Sequence, residues 1–131
     1  MSTLREVLDS KIGLLSGEPV TNEVIKEAEK ELNIKFAKEY REYLQEYGII
    51  AYGGHEITGL CDDDRTNVVI ATKRLRNGNK NIPSDYYVVE EANIDGIVIW
   101  QETSGSVYMT KYDSAPQKIF KSFCEYLEKQ K

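Results

Sequence analysis

The sequence holds little that would commit it to a particular chemistry. Its 131 residues include one His, two Cys, three Pro and one Trp. Cys61 and Cys124 lie far apart and match no CxxC, zinc or haem spacing, so they read as reduced thiols of a cytosolic protein. No apolar run approaches the roughly 18 to 20 residues of a membrane span. Arg5, Glu6, Asp9 and Lys11 interrupt the segment 1–15, where a signal peptide would carry its apolar stretch. A cytoplasmic chain without a membrane segment is the expectation. No GxSxG surrounds a serine, and a nucleophile–base–acid arrangement has only His55 to draw on. His55 beside Glu56, after Gly53 and Gly54, is the one catalytic candidate, as a general base; a hydrogen-bonded structural His is the plainer reading.

Positive charge is also in the minority, with 17 Lys and Arg against 22 Asp and Glu, a net charge of −5. That balance disfavours a protein built to grip nucleic-acid phosphates and makes a basic partner the easier expectation. The acids are spread thinly: residues 23–47 hold seven acids against five bases, and residues 48–131 twelve against ten. An acidic face has to be assembled by folding.

At this length one domain, residues 1–131, can build a single core without metals or disulfides. Thr3 and Glu6 form a capping box before Leu4, Val7, Leu8, Ile12 and Leu15, which share a helical face. Thr21 or Asn22 caps a second helix with a stripe of Val24, Ile25, Ala28 and Leu32. Asn33 suits a left-handed cap, Ile34 and Phe36 plug the core, and a third helix runs from about Ala37 to Tyr47, stopped by Gly48. Short apolar pieces at 49–52 and 57–60 then meet glycine turns. Residues 68–76 fit either strand or helix, and helix is favoured with Thr66 or Asn67 as cap.

The pieces 86–90, 97–101 and 107–112 are β-rich, separated by turns at Asn93, Asp95 and Gly96 and at 104–106, which suits an antiparallel meander with one face partly wet. Pro116 fits the first turn of a terminal helix bearing Ile119, Phe120, Phe123 and Leu127. Helices, then strands, then a helix indicate an α+β fold: an antiparallel meander with a short helix within it and a C-terminal helix packed on the sheet.

Three further features bear on function. Asp62, Asp63 and Asp64 are adjacent and lack the alternate spacing of a calcium loop, so they read as a solvated loop or a contact surface. Lys73, Arg74, Arg76 and Lys80 form a basic run that reads as a solvated helix end. Nine Tyr supply interface-type side chains. Helical spacing assigns Tyr40, Tyr43 and Tyr47 to the core, leaving Tyr52, Tyr108 and Tyr112 as surface candidates.

The segment 25–48, IKEAEKELNIKFAKEYREYLQEYG, followed by GGHEITGL at 53–60, resembles the opening of the SMI1/KNR4, or SUKH, superfamily. VVIATKRLRN, IPSDYYVVEE, GSVYMTKYD and the closing FKSFCEYLEK are similar to its later elements in the same order. Two positions depart from its pattern: Asn33 where Gly is usual and Ala37 where Pro is usual. The resemblance implies a non-enzymatic binding domain with no cofactor or metal, of the bacterial immunity type. Its implied partner is a cognate toxin, basic and of the nuclease kind, while the charge balance and the lack of a long apolar run point to no direct nucleic acid and no membrane. Steering charges would come from Asp62, Asp63, Asp64, Glu90, Glu91, Asp95 and Glu102, and aromatic anchors from Tyr52, Tyr108 and Tyr112. A regulatory scaffold with endogenous partners is the alternative.

Overall fold

Helix starts and stops follow the caps in the chain. A computed structural model describes residues 3–92 and 94–130, which leaves the turn residue Asn93 outside the described residues. The Thr3 hydroxyl accepts the Glu6 N–H at 3.2 Å, and the Glu6 carboxylate accepts the Thr3 N–H at 3.3 Å. This reciprocal cap opens α1 (Leu4–Asp9), which buries Leu4, Val7 and Leu8. The helix stops early. Ile12 and Leu15 are therefore exposed rather than on its buried face, and Leu15–Ser16 forms a short strand, β1.

In α2 (Asn22–Leu32) the Thr21 hydroxyl accepts the Val24 N–H, and Asn33 takes the left-handed conformation at φ 56°. Ile25, Ala28 and Leu32 are buried as expected, but Val24 turns outward and Glu29 is buried in its stead. The plugs Ile34 and Phe36 are buried. Next, α3 (Lys38–Tyr47) buries Tyr40, Tyr43 and Leu44. Gly48 ends it at φ 72°, pressed so close to the Glu18 carbonyl that a Cβ would fall 2.0 Å from that oxygen. Only glycine fits there.

The remaining elements are β2 (Ile50–Tyr52), β3 (His55–Ile57), α4 (Val68–Asn77), β4 (Tyr87–Glu91), β5 (Ile97–Gln101), β6 (Val107–Lys111), β7 (Gln117–Phe120) and α5 (Phe123–Lys129). The ambiguous segment is a helix, because the Asn67 side chain accepts the Val69 and Ile70 N–H groups. Among the described residues the strands β1 to β7 form one antiparallel sheet in chain order, with α4 inserted between β3 and β4. With the helices α1 to α5 of the described residues beside it, the fold is α+β.

One expected boundary was misplaced. Gln117–Phe120 pairs with β6 as a strand, and the terminal helix begins at Phe123, where the Ser122 hydroxyl accepts the Glu125 N–H at 3.1 Å. Ile119 and Phe120 are consequently half-buried sheet residues rather than a helical stripe.

Alternation along the strands divides the apolar residues between two sides. Tyr87, Val89, Ile99 and Val107 join the main core with α1, α2, α3 and α5. Val88, Val98 and Trp100 face the other way and pack with Ala71 of α4 and Ile82. The second face is covered by α4 over β4 and β5, and the partial exposure expected at the last of the three β-rich pieces is found in β6, where Tyr108 is half-buried. The Thr72 hydroxyl of α4 accepts the Val88 N–H at 2.9 Å, and Trp100 Nε1 donates to the Thr110 hydroxyl at 2.9 Å.

Tyr40, Tyr43, Tyr87 and Tyr126 of the main core keep their hydroxyls bonded, as buried polar groups usually do, whereas the buried Tyr52 hydroxyl has no partner among the described residues. Tyr43 donates to the Thr58 carbonyl at 2.7 Å and accepts the Ile50 N–H at 3.1 Å. Tyr87 donates to Gln101 Oε1 at 2.7 Å and accepts the Ala37 N–H at 2.9 Å. The N–H that a proline at residue 37 would lack is therefore occupied, which gives the departure at Ala37 a structural use.

Candidate functional site

Burial divides the ten surface candidates. Tyr52 and Glu90 are each only 4% exposed, which removes both from any contact set. Glu90 has an internal role: His55 Nδ1 lies 2.9 Å from its Oε2, and the Tyr126 hydroxyl donates to its Oε1. His55 is thereby held by Glu90 rather than partnered with Glu56. Glu56 instead receives Arg65 on both carboxylate oxygens at 2.6 Å. His55 is thus a hydrogen-bonded residue tied to β4, which fits the plainer of its two readings.

Asp62, Asp63 and Asp64 are exposed in the loop between β3 and α4. Asp63 orders that loop, its Oδ1 accepting the Arg65 N–H at 2.9 Å and its carbonyl accepting the Thr66 and Asn67 N–H groups. Among the described residues no group of three or more His, Cys, Asp or Glu could hold a metal ion. Glu102 and Tyr108 lie together at the turn joining β5 and β6, where Glu102 accepts from the Ser104 hydroxyl at 2.7 Å and from the Tyr108 hydroxyl at 3.2 Å. Tyr108 also stacks on Tyr86, with centroids 4.6 Å apart.

The other end of β5 and β6 brings Glu91, Asp95 and Tyr112 to one place. β5 and β6 run antiparallel with Ile97 opposite Lys111, so the turn bearing Asp95 meets the chain leaving β6 at Tyr112. Tyr112 is 70% exposed and sits in the left-handed region at φ 54°. Its N–H donates to the Gly96 carbonyl at 2.9 Å, which fixes where the side chain leaves the sheet. Beside it opens a groove of about 500 Å³ lined by Leu75, Gly78, Val98, Trp100 and Tyr112.

Charge frames this apolar floor. Arg74 Nη2 donates to Glu91 Oε1 at 2.7 Å at the rim, and Asp113 lines the groove as well. The hydrogen bond and charge of Glu91 hold the Arg74 guanidinium above its ordinary pKa. Asn79, 4% exposed, donates to the Ser114 carbonyl at 2.9 Å, tying the end of α4 to the turn that carries Tyr112. Concave apolar surface with a few placed polar groups and an exposed aromatic at its lip is the make-up of a binding site.

Glu91, Asp95 and Tyr112 stand out in the sequence, whereas the nearness of Arg74, Asn79 and Trp100 to this groove arises only on folding. The lone Trp was the available signal, since its indole N–H needs a partner near a surface or core edge. The basic run is largely consumed internally. Lys73 lies 3.5 Å from Glu31, Arg74 pairs with Glu91, and Arg76 Nη2 donates to the Tyr86 carbonyl at 2.6 Å. Burial lowers the Arg76 pKa, as expected for a cation drawn against the body of the protein.

No helix among the described residues is long and apolar enough to cross a membrane. The family model SUKH_5, described as SMI1-KNR4 cell-wall, matches residues 3–130. No curated protein matches the chain.

Proposed function

The chain belongs to the SMI1-KNR4 family, and from that premise we propose that it is a non-enzymatic binding protein whose partner is a cognate bacterial toxin. On this reading it is a cytoplasmic immunity protein that occludes a basic active site, such as that of a nuclease. The supporting observation is the lip of the α4 groove: Tyr112, largely exposed yet fixed by its backbone bond to Gly96, stands over a floor that includes Trp100. A rigid, exposed aromatic beside an apolar pocket is the kind of group that sets dissociation rates. Asp113 in the groove lining and the exposed Asp95 next to Gly96 suit a basic partner, raising the association rate more than the affinity.

Co-expression of this protein with toxins encoded by adjacent reading frames tests the proposal. Survival that depends on direct association, and that weakens in Tyr112→Ala, is the expected outcome. A chain that neither protects nor binds any adjacent toxin overturns it. The family description names the cell wall, which favours a second reading as a regulatory scaffold with endogenous partners; an isolated housekeeping gene context would support that one.

A further inference from the structure

Two exposed β-branched residues stand on neighbouring helices: Val24 of α2 is 48% exposed and Ile70 of α4 is 41% exposed. Between them lies a second groove of about 250 Å³, with Ala28, Leu60 and Val69 in its lining. Apolar side chains left outward on two packed helices are surface that a folded chain gains nothing by leaving in water. Glu27 and Glu31 line the same groove from α2. Leu60 and Asn67, which also line it, bracket the exposed loop that carries Asp62, Asp63 and Asp64.

Few cations offset this rim. Arg65 is taken by Glu56 at 2.6 Å, and Lys73 stands 3.5 Å from Glu31. The result is an apolar trough with Glu27 and the Lys73-paired Glu31 on its rim and the acidic 62–64 loop leading off from Leu60.

We propose that the α2–α4 groove docks a short basic amphipathic segment of a partner protein. Its apolar side chains lie between Val24 and Ile70, and its Lys or Arg residues meet Glu27, Glu31 and the 62–64 loop. Nucleic acid and anionic lipid are repelled by the same carboxylates, which selects a protein segment as the occupant. The apolar contacts hold the complex, and the carboxylates, being exposed, act chiefly on association rate and salt dependence. The inference rests on reading the chain as a binding module for a basic partner, and gives that module a second contact.

The test is an amide-shift titration of the isotopically labelled full chain with a synthetic amphipathic Leu/Lys helical peptide, alongside its Leu/Glu counterpart. Shifts centred on Val24, Ala28, Leu60 and Ile70 are expected with the Lys peptide alone. Val24→Ser with Ile70→Ser should weaken binding by about tenfold, and Glu27→Lys with Glu31→Lys should remove most of its salt dependence. All four positions lie at the surface, and circular dichroism confirms that the variants remain folded. Shifts centred elsewhere, equal binding of the Glu peptide, or unchanged affinity in the Val24 and Ile70 variant overturns the proposal. The titration needs no toxin, so a chain that binds the peptide here and protects against no toxin refutes the immunity reading while this groove stands.

Discussion

The ring of Tyr112 occupies the space that a side chain on Gly96 would need: a Cβ there would lie 2.5 Å from Cδ1 and 2.6 Å from Cε1 of the tyrosine. Gly96 also has φ 65°, a conformation that L side chains rarely adopt. Gly96→Ala therefore strains the turn and displaces the ring together. About 1 to 2 kcal/mol of stability should be lost, and partner affinity should drop. Tyr112→Ala separates the two effects, because the side chain is mostly exposed. Its thermal midpoint should stay near the parent's while the dissociation rate of a bound partner rises by about ten- to a hundredfold. Calorimetry and surface-binding kinetics on both variants check this, and an unchanged dissociation rate in Tyr112→Ala removes the ring from the interface.

Glu90 is buried at the junction of β3, β4 and α5, with His55 Nδ1 on one oxygen and the Tyr126 hydroxyl on the other. A buried carboxylate keeps its place only when its acceptor sites are used. Glu90→Ala strands both donors and leaves a void, so a loss of about 2 to 4 kcal/mol in urea unfolding is expected. Glu90→Gln keeps the volume and one acceptor, and should cost about 1 to 3 kcal/mol. A neutral result for both variants would mean that the network contributes nothing to stability.

The elements legible in the sequence were those announced by local chemistry. The Thr3–Glu6 box, the Thr21 cap, Asn33 and Gly48 placed the first three helices, and the β-branched runs placed β4, β5 and β6. What was missed depended on tertiary pairing. Ser114, Pro116, Ile119, Phe120 and Phe123 satisfy a helical pattern, yet β6 offered residues 117–120 an open edge, and the ladder outweighed a weak local preference. The tyrosines show the same limit. Helical spacing assigned Tyr40 and Tyr43 correctly to the core, but nothing in the chain distinguishes Tyr52, covered by surrounding elements, from Tyr112, carried outward by a left-handed backbone. The candidate site was half legible for that reason: its acids and its tyrosine were visible, whereas the pairing of Arg74 with Glu91 and the placement of Trp100 needed the sheet register.

Buried phenols make this fold sensitive to alkali. Burial raises the Tyr40, Tyr43, Tyr87 and Tyr126 hydroxyls above their ordinary value of 10.0. Burial likewise pushes the Cys124 thiol up to about 12 from 9.0, with Glu39, Glu42 and Glu128 adding to it. A group whose folded pKa is raised holds its proton in the native state after the unfolded chain has released it. Stability is therefore full below pH 9 and falls as pH rises beyond 9 for the thiol and 10 for the phenols. Each buried tyrosine contributes a slope of about 1.4 kcal/mol per pH unit above that point. Tyrosinate absorbance should rise cooperatively with the loss of ellipticity, rather than titrating ahead of it. Independent ionisation within a folded chain would contradict the assigned burial.

Asn33 offers a test of the resemblance and of the backbone together. It closes α2 at φ 56° and ψ 46°, and its N–H donates to the carbonyls of Glu29 and Lys30. Related sequences are expected to carry glycine at this position, and glycine reaches the left-handed region without the steric cost that Cβ brings. Asn is the next most tolerant residue, so Asn33→Gly should change stability little, within about 0.5 kcal/mol in the stabilising direction. Asn33→Ala keeps the Cβ and loses the tolerance of the polar side chain, and should cost about 1 kcal/mol. The consequence extends beyond the helix end, because Asn33 leads directly into the buried Ile34 and Phe36 and the Ala37 N–H held by Tyr87. A cap that fails would loosen that link, so hydrogen exchange at Phe36 and Ala37 should accelerate in Asn33→Ala and not in Asn33→Gly. Equal exchange in the two variants would show that Asn33 ends α2 without positioning α3.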